Sequence, residues 1–322
     1  MTTHNNPTTT QAAAHNTARV PQAHPLKNAD LLPGGLTMDA VTLYVRDIDA
    51  MVKFYTEVIT LEVINTNNPS AAHDQRHGIV TLGRGKTPIV VLRHEPNLPP
   101  AQPRQAGLFH TAILFTTQSA LAAVVASVAQ HARHLYTGSA DHLVSQAFYL
   151  NDPEGNGIEL YWDRPRNEWS WTGAHVVMDT LWLDPNTFVN EHLTTQALEN
   201  LNTAPATVGH VHLQVGETQA AQDFYVNALG FETTSKIPGA LFVAAGGYHH
   251  HMAVNTWNSR GAGPRISSLG LAEVSLILPT NDDVHALQDR LNYAHITHAH
   301  TGAALTFTDP WNNHIAVSTH EQ

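Results

Sequence analysis

The strongest constraint on this chain is that it repeats itself. Val41-Thr-Leu-Tyr-Val-Arg-Asp-Ile-Asp-Ala-Met-Val-Lys-Phe54-Tyr55 has the same pattern as Val211-His-Leu-Gln-Val-Gly-Glu-Thr-Gln-Ala-Ala-Gln-Asp-Phe224-Tyr225: an alternating strand, a turn and an amphipathic helix. The two copies close alike, on Val58-Ile-Thr-Leu61 and Ala228-Leu-Gly-Phe231. A second type begins at Leu108-Phe-His110-Thr-Ala-Ile-Leu and at Leu271-Ala-Glu273-Val-Ser-Leu-Ile, each leading into a predicted helix over 118–133 and 282–292. These copies end on Asp152-Pro-Glu-Gly-Asn156-Gly-Ile-Glu159 and Asp309-Pro-Trp-Asn-Asn313-His-Ile-Ala316, a turn between two strands. The pattern predicts a β-α-β-β-β unit four times over. One such unit is an open, curved sheet with a bare edge, so two must pair to close a cleft. The expected class is α+β, with four βαβββ modules forming two clefts. Modules 1 and 2 fall in 36–165, a linker in 166–205, and modules 3 and 4 in 206–322. Residues 1–35 lack periodicity and read as a flexible N-terminal arm, ordered only against the body or another subunit.

Composition narrows the function. With 322 residues and 42% apolar content the chain can build about two cores. It has neither an apolar run long enough to span a membrane nor a secretory leader pattern, so a cytoplasmic protein is expected. The absence of cysteine leaves His, Asp and Glu as the strong metal ligands. A formal charge of −11 with 16 Lys+Arg argues against nucleic acid and anionic membrane as partners, and favours small molecules.

Twenty-three histidines are too many to be informative by number. Position is informative: His110, Glu159 and His210 sit at equivalent strand places in their units, and two imidazoles with one carboxylate are the set that holds a non-haem Fe(II) by one face. In Ile158-Glu159-Leu160-Tyr161 the alternation puts Glu159 opposite its apolar neighbours, on the face that a curled sheet turns inward. His212 shares the parity of His210 and is the alternative ligand. Trp162, Trp169, Trp171 and Trp257 are candidates for an aromatic pocket or for packing. Gly83-Arg-Gly-Lys86-Thr87 lacks the first glycine of a phosphate loop and is set aside.

The four units, with Phe-Tyr in the first helix and Asp-Pro-Glu-Gly-Asn before the last strand, resemble the vicinal oxygen chelate (VOC) or glyoxalase superfamily. Within it, the chain resembles the type I extradiol ring-cleaving dioxygenases of the catechol 2,3-dioxygenase kind, over about residues 36–320. The resemblance implies metal ligands His110 and Glu159 from module 2 and His210 from module 3. Modules 1 and 4 have Ala40 and Glu273 at the first-strand position and Ala316 at the last-strand one, so their cleft is expected to hold no metal. The common family order puts the site within the last two units. Here the ligands instead imply that modules 2 and 3 pair, as do modules 1 and 4. The family's acid/base histidine falls in Gly247-Tyr-His-His250-His251, where register favours His250. Its active-site tyrosine, ten positions before the Glu ligand, falls on Tyr149, and a further loop histidine falls near His142, shifted by about two.

By the same resemblance the cofactor is Fe(II), or Mn(II) in its place, and the partners are a small aromatic diol and O2, with self-association as the family habit. A catecholate held through both oxygens needs two adjacent open positions and dioxygen a third, which a three-ligand facial site provides. The glyoxalase branch would take a fourth ligand at the position of Ala253. His250 would stabilise charged oxygen and donate a proton, a task suited to an ordinary histidine pKa near 6.5. Two other readings stand beside ring cleavage: a non-catalytic VOC binding or sequestering protein, and a metal-dependent isomerase or epoxide-opening enzyme.

Overall fold

The computed structural model describes residues 30–64, 78–301 and 304–320. Module 1 runs β1 (Thr37–Val45), α1 (Ile48–Glu57), β2 (Glu62–Val63), β3 (Ile79–Arg84) and β4 (Thr87–His94). Module 2 runs β5 (Gly107–Phe115), α2 (Gln118–His131), β6 (Tyr136–Asp141), β7 (Ser145–Asn151) and β8 (Gly157–Asp163). Between the halves lie the hairpin β9 (Trp171–Thr172) and β10 (His175–Val176), then β11 (Leu181–Trp182), α3 (Pro185–His192) and α4 (Thr195–Glu199). Module 3 follows as β12 (Ala206–Gln214), α5 (Thr218–Ala221, continued over Gln222–Ala228), β13 (Glu232–Ile237), β14 (Ala240–Ala244) and β15 (Met252–Asn255). Module 4 is β16 (Gly270–Leu278), α6 (Asn281–Tyr293), β17 (His298–Thr301), β18 (Ala304–Thr308) and β19 (His314–Thr319). The continuation of α5 is a π-helix carrying Phe224 and Tyr225, a local widening that α1 does not share.

Two large curled sheets are built by crossing the halves of the chain. One has the order β17-β18-β19-β16-β1-β4-β3-β2 and so joins modules 4 and 1; the other, β11-β6-β7-β8-β5-β12-β15-β14-β13, joins modules 2 and 3. The seams are antiparallel, β1 on β16 (Val41↔Val274) and β5 on β12 (Val211↔Thr111). Alternation then divides each sheet. Val41 and Leu43, Ile113 and Phe115, Val211 and Leu213, and Val274 and Leu276 enter one continuous apolar core, while the residues between them face the other way.

The Phe-Tyr and Asp-Pro motifs turn out to be two halves of one lock. Tyr55 Oη on α1 donates to Asp152 Oδ2 in module 2 at 3.2 Å, and Tyr225 Oη on module 3 donates to Asp309 Oδ2 in module 4 at 3.0 Å. Each aspartate also accepts the backbone N–H groups and side-chain amide of its own turn, as with Glu154 N, Asn156 N and Asn156 Nδ2 on Asp152. Glu154 in turn accepts from Arg46 N and Asp47 N at 2.8 Å. These bonds tie each module to its sequence neighbour across the two sheets. Burial, against the pull of these donors, pushes the Asp152 carboxyl up to about 6. The folded state therefore binds this proton more tightly than the unfolded chain, so the group's stabilisation is complete below about pH 4 and is lost as pH rises through about 6. In urea titrations the stability of the native chain relative to Asp152→Asn should fall between pH 4 and 6 and then level off. A flat difference would show that Asp152 does not titrate in that window.

Two segments outside the modules make contacts with them. At the end of the N-terminal segment Leu32 is buried, and its N–H donates to Gly230 O at 2.8 Å. Residues 1–29 lie outside the described residues. The 166–205 segment is more than a connector, since β11 extends the second sheet along β6 and Phe188 of α3 packs on Phe148. Arg84, from the discarded glycine run, is buried and donates to Leu201 O of this segment. The run itself is the β3–β4 hairpin, with Gly85 at φ 58°.

Candidate metal centre

Four neighbouring strands put one row of side chains on the inward face of the second sheet. Register pairs Tyr149 with Glu159, Glu159 with Ala112, and Ala112 with His210. Ala112 stands between Glu159 and His210 in that row, and His110, two residues earlier on the same face of β5, brings its ring beside Glu159. A bulge in β12 at Gly209 sets the register of His210, and a Cβ at Gly209 would collide with Tyr161 Oη.

His110, Glu159 and His210 are all buried, with one ligand atom of each within 4.8 Å of the others. His110 Nε2 lies 2.9 Å and His210 Nε2 3.2 Å from the same Glu159 Oε2. The His110 contact lacks the alignment of a hydrogen bond, so that nitrogen has no hydrogen-bond partner although it is buried. Burial opposes charge on the whole group. The two imidazoles nevertheless hold Glu159 well below the usual carboxylate range, and burial pushes His210 down to about 4. The result is a buried carboxylate between two imidazoles, with no Lys or Arg paired to it among the described residues. A divalent cation would supply positive charge beside this carboxylate, and an unpartnered imidazole nitrogen is the kind of donor it would require. The donor set thus fits a metal.

The cluster forms the floor of a cavity of about 650 Å³, lined also by Phe109, His142, Tyr149, His212, Phe242, His250 and Trp257. That volume suits a small-molecule ligand. Tyr149 Oη is 2.7 Å from His142 Nε2, while His142 Nδ1 is 2.7 Å from Asp179 O. The carbonyl can only accept, so His142 carries a proton on Nδ1 and Tyr149 donates to Nε2. Burial and the Glu159 carboxylate raise the Tyr149 phenol well above its usual range.

His250 faces the cavity, whereas His251 Nδ1 is turned away to accept from Ala245 N. The ordinary pKa expected of His250 is corrected: burial, then the neighbouring His210, His249, His212 and His110, push it well below 6.5. His212 is the weaker ligand candidate, because Asn255 Nδ2 occupies its Nε2 at 2.9 Å. Of the four tryptophans considered for a pocket, Trp257 lines this one, while Trp169 packs with Val144, Val176 and Tyr248 elsewhere. Sequence reasoning missed Ala112, whose signal was its parity with His110, and Met178 and Asp179 from the connecting segment, which showed no motif.

Comparison with known families places the chain. The family model described as Glyoxalase/Bleomycin resistance protein/Dioxygenase superfamily matches residues 37–160 and 207–317, and the chain belongs to that superfamily. It is 32% identical over 276 residues to the Catechol-2,3-dioxygenase of Bacillus subtilis strain 168, an alignment spanning 83% of this chain and 92% of that one. The chain is accordingly a dioxygenase-like enzyme of the superfamily. Among solved structures it shares its fold with a putative dioxygenase from Bacillus subtilis (TM-score 0.61, 13% identity, 89% of this chain and 86% of that one). Glyoxalase I from Zea mays also shares it (TM-score 0.52, 13% identity, 88% and 92%). Among the described residues no helix is long and apolar enough to cross a membrane.

Proposed function

We propose that this protein cleaves the ring of catechol or substituted catechols next to the diol, using O2 and an Fe(II) held by His110, Glu159 and His210, to give a muconic semialdehyde. The observation that carries this reading is the inward cluster of two histidines and one glutamate on the floor of a cavity that also presents His250, Tyr149 and His142. Fe(II) in such a site supplies open positions for the two catechol oxygens and for dioxygen. The 32% identity to a named Catechol-2,3-dioxygenase supports the same substrate class.

The chain's own residues have separable tasks. Tyr149, its proton donated to His142, accepts a hydrogen bond from a substrate hydroxyl. His250 takes or returns a proton at the cavity wall opposite. Its burial disfavours a standing positive charge, so a proton accepted there is readily given up again. Phe109, Phe242 and Trp257 supply apolar faces for the ring.

Anaerobically Fe(II)-reconstituted protein should take up O2 with catechol and with 3-methylcatechol, in step with a yellow product. No uptake at one bound iron per chain would sink the reading. His250→Phe should keep its iron and lose about a hundredfold or more in kcat for catechol. An unchanged kcat would remove His250 from the chemistry.

A further inference from the structure

The triple histidine run has a role beyond placing His250. His250 Nδ1 is 2.7 Å from His249 Nδ1, and His249 Nε2 is 2.8 Å from Asp163 Oδ1. Asp163 Oδ2 accepts the Tyr248 hydroxyl at 2.7 Å, and the Tyr248 oxygen, its own proton spent, accepts from Tyr161 Oη at 2.8 Å. Asp163 is the last residue of β8, four beyond Glu159 and therefore on the same face of the same strand. His249 is fully buried, and its carbonyl is held by the Thr234 hydroxyl.

The direction of each bond follows from what each group can donate. A carboxylate only accepts, so His249 carries its proton on Nε2. When His249 is neutral its Nδ1 holds a lone pair, and the short contact there then makes His250 the donor. His250 is thereby protonated on Nδ1, and its other nitrogen, on the cavity side of the ring, holds a lone pair. We infer that Asp163 and His249 are positioning residues that lock His250 in the Nδ1–H tautomer, so that its Nε2 meets the substrate as a proton acceptor.

The inference rests on the ring-cleavage reading for its substrate. In the step it implies, a catechol O–H bond breaks as an Nε2–H bond forms on His250, leaving a catecholate and an imidazolium that the hydrogen-bonded His249–Asp163 pair supports. The proton is later returned from the same nitrogen, so the exchange needs no further reactant. Without the lock, His250 could flip its proton to Nε2 and present a donor where an acceptor is needed.

The test reads tautomers directly. Long-range ¹H–¹⁵N spectra of metal-free, ¹⁵N-histidine-labelled protein, with signals assigned through His249→Phe and His250→Phe, should show His250 protonated on Nδ1 and His249 on Nε2. Asp163→Leu should abolish the single His249 tautomer. In the Fe(II)-loaded enzyme it should lower kcat for catechol about tenfold or more with KM within about twofold, and Asp163→Glu should recover part of the loss. A wild-type His250 protonated on Nε2, or an Asp163→Leu variant with both tautomers and kcat unchanged, overturns the inference. The wild-type spectra need no variant to fold. They also need no turnover, so a failed oxygen-uptake assay would refute the functional reading while leaving the tautomer lock to be judged separately.

Discussion

Replacing Glu159 by glutamine should leave a folded chain that no longer holds iron. The amide keeps the shape of the carboxylate but removes the only anion from a buried group in which His210 resists protonation and His110 Nε2 lacks a hydrogen-bond partner. Outer-shell partners of a metal typically change affinity by about 10–100-fold, and a direct ligand should cost at least the upper figure. Because His210 and His110 hold the carboxyl below its usual range, its charge contributes to the stability of the metal-free protein at neutral pH, so the stripped variant should melt modestly lower than the stripped native chain. Metal content by elemental analysis and melting of the stripped protein would decide. Full iron occupancy in Glu159→Gln would exclude the glutamate from the ligand set, and a large fall in the Tm of the stripped variant would show that the carboxylate is structural.

The second large effect belongs to Asp152, far from the chemistry. Asp152→Ala leaves the Tyr55 hydroxyl, the Asn156 amide and the Glu154 and Asn156 N–H groups without their acceptor, at the junction between module 1 and module 2. A buried donor left unpaired costs about 1–3 kcal/mol, and with partial rescue by water the whole change should cost about 3–5 kcal/mol. For a chain of this size that corresponds to a fall in Tm of about 10 °C. Tyr55→Phe removes only one donor and should cost about 1 kcal/mol. Iron affinity in both variants should stay within a fewfold of the native value, because the strands carrying His110, Glu159 and His210 are joined by their own ladder. If Asp152→Ala melts like the native chain, the lock is ornamental.

The fourfold repeat could be read because strand and helix periods are local, and each module carries the same alternation and the same turn chemistry. The ligands were legible for a related reason: equivalent positions in a repeat become equivalent positions in space. His110, Glu159 and His210 stood out by place rather than by residue type. Tyr149 could be located by its spacing from Glu159 along one hairpin, a distance within the chain that the β7–β8 register preserves.

Other features depended on which strands meet, and no local pattern encodes that. Ala112 comes between Glu159 and His210 only because β5 lies between β8 and β12. Asp163 and His249, 86 residues apart, become partners only when modules 2 and 3 share a sheet. The lowered pKa of His250 likewise comes from burial and from four neighbouring histidines, His210, His249, His212 and His110, a collective effect invisible at one residue.

By itself, then, the sequence determined the α+β module, its four copies and the three residues most suited to hold a metal, because periodicity and residue chemistry act over a few positions. Tertiary structure alone decided the register that sets those residues around Ala112, the docking of Leu32 and the 166–205 segment, and the tautomer imposed on His250. Those depend on hydrogen-bond partners and desolvation supplied by strands distant in the chain.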